Sequence, residues 1–436
     1  MALMDWQTTR RRLLRGGSLG ATLAGLRLPR LLATPDKEAA ASKAAPGIYQ
    51  RLGVRTRINA KGTYTYLTGS LLPREVTRAM EEAAEHYVIL LELQAAVGRR
   101  ISEMLGVEAA MVTSGAAGAI MLGTAACVTG TDPEKIVRLP DVTGMKSEVV
   151  IQRTHRNPFD HAIRNVGVKL VVVETAEEME NAISEKTAMM YFLNAAQNQG
   201  KVGLQQFVEI GKRRGAPTFN DAAADVPPKE HLSEYNKMGF DLVAFSGGKG
   251  LRGPQCAGLL LGRKDLIEAA LLNNNPHEDA IGRPCKVGKE EICGMLAALE
   301  RYLRVDHEEE WKDWEAQLDT IEQTVASLPG VRMSRYVPEI ANHVPHLSLQ
   351  WDEEAFGLTQ GECAKQLEEG EPSIICLTGE YGQGLSVTPF MMQPGEERIV
   401  ARRLKEILSS ALESTKTRAS ADVGSNATFL HSSPGP

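Results

Sequence analysis

An α/β domain built on a mainly parallel sheet, followed by a smaller α+β domain, is the architecture this sequence predicts. Short apolar runs alternate with helix-like segments from residue 109 to 262, the pattern of strand–helix units. Several of these runs end in small-residue turns, as Val112 does at Thr113-Ser-Gly-Ala-Ala-Gly118. Beyond Arg304 the pattern changes to charged helices and short strands, which marks a second folding unit.

The elements follow in order. Pro73 to Leu105 reads as one long amphipathic helix or two, carrying Leu90, Leu91, Leu93, Val97, Ile101 and Leu105. Strands are expected at Ala109–Val112, Glu148–Gln152, Lys169–Val173, Ala188–Leu193, Thr218–Asn220, Leu242–Phe245 and Gly258–Leu261. Helices are expected between them at Pro158–Val166, Thr175–Ser184 and Leu204–Arg214. Val287 to Arg304 reads as a helix that leaves this domain, and His307 to Leu328 as another. Strands at His346–Gln350, Ser373–Cys376 and Gly384–Val387 and a helix at Glu396–Leu412 complete the second unit. The expected boundaries are a large domain at 48–290, a small domain at 291–413 and a disordered tail at 414–436.

The amino terminus is a different kind of segment. Thr9-Arg-Arg-Arg-Leu-Leu-Arg15 precedes a mild apolar stretch, so residues 1–35 resemble a twin-arginine export signal, with 36–47 as a linker. The stretch is too short and glycine-rich for a stable membrane span. The expectation is an exported or periplasmic protein, with a cytoplasmic one as the alternative. A net charge of −6 over 436 residues, with no basic block beyond this segment, argues against a nucleic-acid partner. The six cysteines show neither metal-like nor disulfide-like spacing and read as mostly buried free thiols. His343 and His346 lack a carboxylate cluster to complete a metal site, so no metal is expected.

Lys249 is the most informative residue. In Ser246-Gly-Gly-Lys-Gly-Leu-Arg-Gly-Pro-Gln255 it follows a buried strand and sits in a glycine-lined turn. A solvated lysine is the ordinary reading of such a turn. A nucleotide P-loop is excluded, because Gly250 stands where Ser or Thr is required. An amine stripped of solvation there could form a Schiff base, while the turn's N–H groups and Ser246 suit a phosphate, which together suggest pyridoxal phosphate. Asp221, directly after a strand, could pair with a protonated pyridine nitrogen, or merely cap a helix. Ser114, Gly115 and Ala116 form a candidate phosphate cup, and His155 a candidate ring-stacking group with Arg156 beside it as an anion holder. Arg283, Lys286 and Lys289 cluster at a helix start and suit a carboxylate or phosphate of a small anionic substrate.

The motif around Lys249, with Ile58-Asn-Ala-Lys-Gly62, Gly98-Arg-Arg100 and Gly282-Arg-Pro-Cys-Lys-Val-Gly-Lys289, resembles the bacterial selenocysteine synthase superfamily. The likeness covers roughly residues 48–412 and is nearer to the D-glucosaminate-6-phosphate ammonia-lyase-like branch than to true selenium transferases. It implies a fold-type I, aspartate aminotransferase-like large domain with a smaller α+β domain, and a homodimer or larger homo-oligomer. It implies Lys249 as the aldimine lysine, Asp221 as the pyridine partner, Ser114, Gly115, Ala116 and Ser246 as phosphate ligands, and His155 as the stacking group. The expected activity is a PLP-dependent lyase that eliminates ammonia from an amino acid or amino-sugar acid to give a 2-keto acid. A racemase, aminotransferase or aldolase shares the same opening chemistry, and a non-catalytic exported binding protein is the alternative of another class. Selenium transfer is not expected, since the chain offers no tRNA-binding start and no basic surface.

Overall fold

The computed structural model describes residues 47–379 and 384–427. The chain divides into two compact units, and the first, ending at Val54, shows one helical turn at Ile48–Arg51 in its described part. The export-type segment and all of the expected linker except Gly47 lie outside the described residues. The second unit begins at Arg55 and carries all the structure discussed below.

β1 (Arg57–Asn59) opens that unit. The next seven strands form one sheet: β2 (Ala109–Thr113), β3 (Glu148–Gln152), β4 (Lys169–Val173), β5 (Thr187–Leu193), β6 (Thr218–Asp221), β7 (Leu242–Ser246) and β8 (Gly258–Gly262). Their spatial order is β2-β8-β7-β6-β5-β3-β4. The sheet is mainly parallel as expected, but β8 runs antiparallel to both its neighbours. That reversal lets β7 and β8 be joined by the compact segment 247–257 instead of a crossover helix.

Both faces of the sheet are covered, which explains why its strands read as near-continuous apolar runs. Alternation along β5 sends Met190 and Phe192 into one core and Met189 and Tyr191 into the other. The first core is closed by helices including Leu90–Leu105, Leu204–Arg214 and His231–Met238. The second is closed by Gly115–Thr129 and Lys264–Leu272. Pro73–Leu105 resolves into two helices, Arg74–Ala84 and Leu90–Leu105.

The smaller lobe contains β9 (Arg332–Tyr336), β10 (His346–Gln350), β11 (Ser373–Ile375), β12 (Leu377–Thr378) and β13 (Leu385–Val387). Four of them form an antiparallel sheet in the order β12-β13-β10-β9. Leu347, Leu349, Leu385 and Val387 pack there against Leu318 and Ile321 of His307–Val325 and Leu404 of the last helix.

Three boundaries differ from the sequence reading. Helix Lys289–Arg304 stays on the large lobe, because Ile292, Met295, Ala298, Leu299 and Tyr302 form a stripe buried with Val76 and Val97. The small lobe is discontinuous: β1 pairs in parallel with β11, and Ile58 and Ala60 are buried beside Ile374. The last helix runs from Glu396 to Ala427, past the expected end of order at Ser414. The stretch 396–423 holds neither proline nor glycine and is rich in helix formers, and the Thr415 hydroxyl donates to the Phe356 carbonyl at 3.0 Å. All six cysteines are free; Cys127, Cys363 and Cys376 are buried, and Cys256 is exposed.

Candidate active site

Thr113, Gly258 and Ser246 stand side by side in the register of β2, β8 and β7, and Asp221 is paired with Ala244 one strand further on. The end of β2, the start of β8 and the ends of β7 and β6 therefore share one sheet edge. This is the place where open α/β sheets bind ligands. Gly115, at φ +69°, turns the chain from β2 into the helix Gly115–Thr129. A Cβ on Gly258 would collide with the Gly115 backbone, so glycine at 258 is what lets this turn lie on the sheet edge. Ser114 is half-buried and its side chain does not cap the helix, so the first N–H groups are not closed off by it. An anion is stabilised at such a helix end by unsatisfied N–H groups and by the helix dipole.

Asp221 is almost fully buried at this edge. Its Oδ2 accepts a 2.6 Å hydrogen bond from the Tyr191 hydroxyl and its Oδ1 one of 3.2 Å from the Ala223 N–H. Burial pushes the carboxyl up from its ordinary range, while the Tyr191 bond, the nearby Lys249 charge and the Ala223 N–H pull it back. The same burial, with the Asp221 charge, holds the Tyr191 phenol well above its ordinary value. Lys249 is half-buried in the segment between β7 and β8, and burial pulls its amine below its ordinary value against the opposing charges of Asp221 and Asp225.

The turn that carries Lys249 is clamped from outside. Gly69, at φ +69°, lies against the Gly248 carbonyl so closely that a Cβ would strike it, and the Ser70 hydroxyl donates to the same oxygen at 3.0 Å. Arg252, in the left-handed region at φ +54°, donates from Nη2 to the Phe390 carbonyl at 3.0 Å and sits 4.0 Å from Glu310. The turn is thus tied both to the strap 60–72 and to the smaller lobe. Gly69, Ser70, Arg252, Tyr191, Asn194, Asp225 and Tyr235 were not singled out in the sequence. Only Asp225 carried a readable signal, as a second carboxylate four residues after Asp221.

The structure thus gathers Lys249, Asp221, Ser114, Gly115, Ala116 and Ser246 at one edge. The other expected residues are placed elsewhere or used otherwise. His155 has no exposed surface: its Nδ1 accepts the Leu193 N–H at 3.1 Å and its ring packs edge-on against Phe192 at 4.3 Å. Burial pushes the imidazole down to about 4, so it is a neutral core residue without an open face for stacking. Arg156 donates to Oδ2 of buried Asp160 at 2.5 Å, with Arg164 on the other oxygen at 3.0 Å. Lys289 donates to the Ala83 carbonyl at 2.6 Å and pairs with Glu290, which fixes its helix to the end of Arg74–Ala84. Arg283 is half-buried and Lys286 exposed, in a segment anchored where Gly282 lies against the Asn273 carbonyl and Leu122.

An anion-receiving helix end, a buried carboxylate and a desolvated amine on one strand edge fit pyridoxal 5′-phosphate. The phosphate would lie on Ser114–Ala116 and Ser246, with the ring nitrogen facing Asp221 and the carbonyl reaching Lys249. Fold and site together define a fold-type I pyridoxal phosphate enzyme. Comparison with known proteins agrees. The family model described as "SelA: L-seryl-tRNA selenium transferase" matches residues 58–326, and the chain belongs to that family. It is 30% identical to a D-glucosaminate-6-phosphate ammonia lyase of Salmonella typhimurium over 84% of this chain and 100% of that one. It is 31% identical to a 5′-C-glycyluridine monooxygenase-decarboxylase of a Streptomyces species over 83% of this chain and 92% of that one. A solved D-glucosaminate-6-phosphate ammonia-lyase superposes with a TM-score of 0.74 at 30% identity, covering 84% of this chain and 99% of that one. A serine palmitoyltransferase from S. paucimobilis, at 12% identity and a TM-score of 0.51 over 81% of this chain and 88% of that one, shares the fold.

Proposed function

We propose that the chain is a lyase that removes ammonia from a β-hydroxylated amino acid or amino-sugar acid and yields a 2-keto acid. The carrying observation is the Lys249 amine, desolvated and flanked by carboxylates at the edge where the phosphate cup lies. When bound, pyridoxal phosphate would supply an electron sink for the bonds at the substrate Cα. The chain's residues do the rest. The N–H groups of Gly115 and Ala116 and the hydroxyls of Ser114 and Ser246 hold the phosphate. Asp221, itself held by Tyr191, keeps the ring nitrogen charged. Lys249 takes the Cα proton as general base. The β-hydroxyl leaves as water, and water then displaces ammonia, so the net change is loss of ammonia. With Arg156 and Lys289 engaged elsewhere, the substrate's anionic groups fall to Arg283 and Lys286, which carry no ion pair among the described residues.

The 30% identity to an ammonia lyase along nearly its whole length supports this reading. Lys249→Ala is the test: it is expected to lose the visible absorbance of the bound cofactor and more than ~10³-fold of ammonia release. Retention of both would overturn the assignment. Running the assay without oxygen separates elimination from the oxygen-dependent chemistry named for the Streptomyces relative.

The same reading includes a homo-oligomer and export. Tyr66, Leu71, Tyr87, Val88 and Ile89 are exposed apolar residues in two short segments, which suits a subunit contact. A monomer by light scattering would exclude it. No helix among the described residues is long and apolar enough to cross a membrane. Fractionation of cells carrying the wild-type chain or the Arg10→Lys, Arg11→Lys, Arg12→Lys variant tests export, which predicts a periplasmic pool only for the former.

A further inference from the structure

The site holds a second carboxyl that the reaction above does not use. After Asp221 the chain turns through three alanines to Asp225, a residue only 3% exposed whose N–H donates to the Ala222 carbonyl at 3.1 Å. Its carbonyl accepts the His231 Nδ1–H at 2.8 Å, which leaves that imidazole engaged with backbone. The carboxyl is another matter. Its Oδ2 is enclosed and accepts no hydrogen bond among the described residues, and Oδ1 of Asn194, just after β5, is enclosed in the same condition. Asn194 commits its Nδ2 to the Tyr235 hydroxyl at 2.9 Å. A buried acceptor without a donor is costly, and a proton on the carboxyl removes that cost.

The lysine turn abuts this segment, since Gly250 lies so close to the Val226 carbonyl that a Cβ would strike it; from there the Lys249 charge lowers the pKa of Asp225, while Asp221 at the end of β6 raises it. Asn194 and Tyr235 favour its anion, and burial, the largest influence, pushes the carboxyl up to about 7. Asp221 has two donors, from Tyr191 and Ala223, so its charge is fixed by hydrogen bonds. Asp225 has no such restraint on Oδ2. Of the two acids near the amine, it is the one with a carboxylate oxygen, Oδ2, that can gain or lose a proton without breaking a hydrogen bond.

We propose that Asp225 is a positioning residue that acts through Lys249, holding the proton that the lysine nitrogen gives up and returning it. The step moves one proton: Lys249 as ammonium with Asp225 as carboxylate becomes Lys249 as free amine with Asp225 as carboxylic acid, at unchanged total charge. Such an exchange supplies a basic amine in a buried place without leaving an unpaired charge behind. The proposal rests on the reading of Lys249 as the cofactor lysine.

The test uses the cofactor-loaded protein and spectroscopy in addition to turnover. Asp225→Asn keeps the shape and removes the charge. It is expected to lower the pH midpoint of the visible cofactor band by about one unit, the size of effect that an opposite charge a few ångströms away produces. Asp225→Glu is expected to restore most of that shift. A midpoint in Asp225→Asn equal to that of the wild type overturns the proposal. Infrared spectra of the wild type provide a second measurement, independent of how well the variants fold. A neutral-carboxyl band that persists to just below pH 7 and disappears as pH rises through about 7 supports the proposal, and a wild type whose carboxyls have all lost that band well below pH 7 overturns it. If the wild type lacks the visible band altogether, the Lys249 reading fails first. If the band is present and indifferent to Asp225→Asn, only the role of Asp225 fails.

Discussion

Tyr191 and Asp221 share a 2.6 Å hydrogen bond where neither has water to fall back on. Removing the phenol oxygen leaves the carboxylate with the Ala223 N–H and the Lys249 charge alone, and burial then raises it further. Leaving a buried acceptor short of a donor costs about 1–3 kcal/mol. Tyr191→Phe is therefore expected to lower kcat by about ten- to a hundredfold while cofactor content stays close to that of the wild type. Kinetics alongside a cofactor titration would show it, and loss of cofactor without loss of kcat per bound cofactor would contradict it. Lys249 and Asp221 could be read from the sequence because both follow apolar runs, and such runs end at a sheet edge. Tyr191 could not, since a tyrosine within Thr187–Leu193 looks like one more core residue until the strands are aligned. His155 shows the opposite failure: a polar residue after a strand was read as open to a ligand, yet Phe192 and the Leu193 N–H enclose it.

Strands of the large sheet were legible because burial on both faces makes them continuous apolar segments with turn residues at their ends. β9 was missed for the converse reason. Arg332–Tyr336 is largely polar and lies at the edge of its sheet, with no buried face to leave a pattern. The helix Lys289–Arg304 was recognised, but its lobe was not, because a buried stripe does not say which core it meets. The strap 60–72 has no regular period, and its bearing on the lysine turn depends on Gly69 lying against Gly248. Gly69→Ala is expected to push that turn outward and reduce cofactor retention about tenfold or more, with circular dichroism unchanged. A variant that holds cofactor as the wild type does would show that the strap is incidental to the site.

On the scale of the whole molecule, buried titratable groups of two kinds oppose each other in the response to acid. His155 and His346 are both pushed down to about 4 from 6.5 by desolvation. These two imidazoles lower stability as pH falls from 6.5 to about 4, because the unfolded chain takes up their protons first. Asp225, pushed up to about 7, offsets part of that loss over the same window by binding its proton first in the folded state. Removing one of the two imidazoles should make the change in thermal midpoint of the cofactor-free protein between pH ~6.5 and ~4 less unfavourable in His346→Gln than in the wild type. The same change in both would assign the acid response to other groups. The two-lobed architecture was legible as a change of pattern after Arg304. Its discontinuity was not, because a three-residue strand such as Arg57–Asn59 carries too little pattern to name its partner.

That discontinuity has a consequence during synthesis. Arg55 donates to the carbonyl of Glu368, 313 residues away, and β1 beside it waits for β11. The ribosome releases β1 first, yet its partner emerges only when most of the chain has been made. The large lobe can consolidate in the meantime, while β1 stays an unpaired edge open to proteases and chaperones. Nascent chains stalled before residue 370 should thus be cut near residues 55–60, and that cutting should stop once translation passes β11.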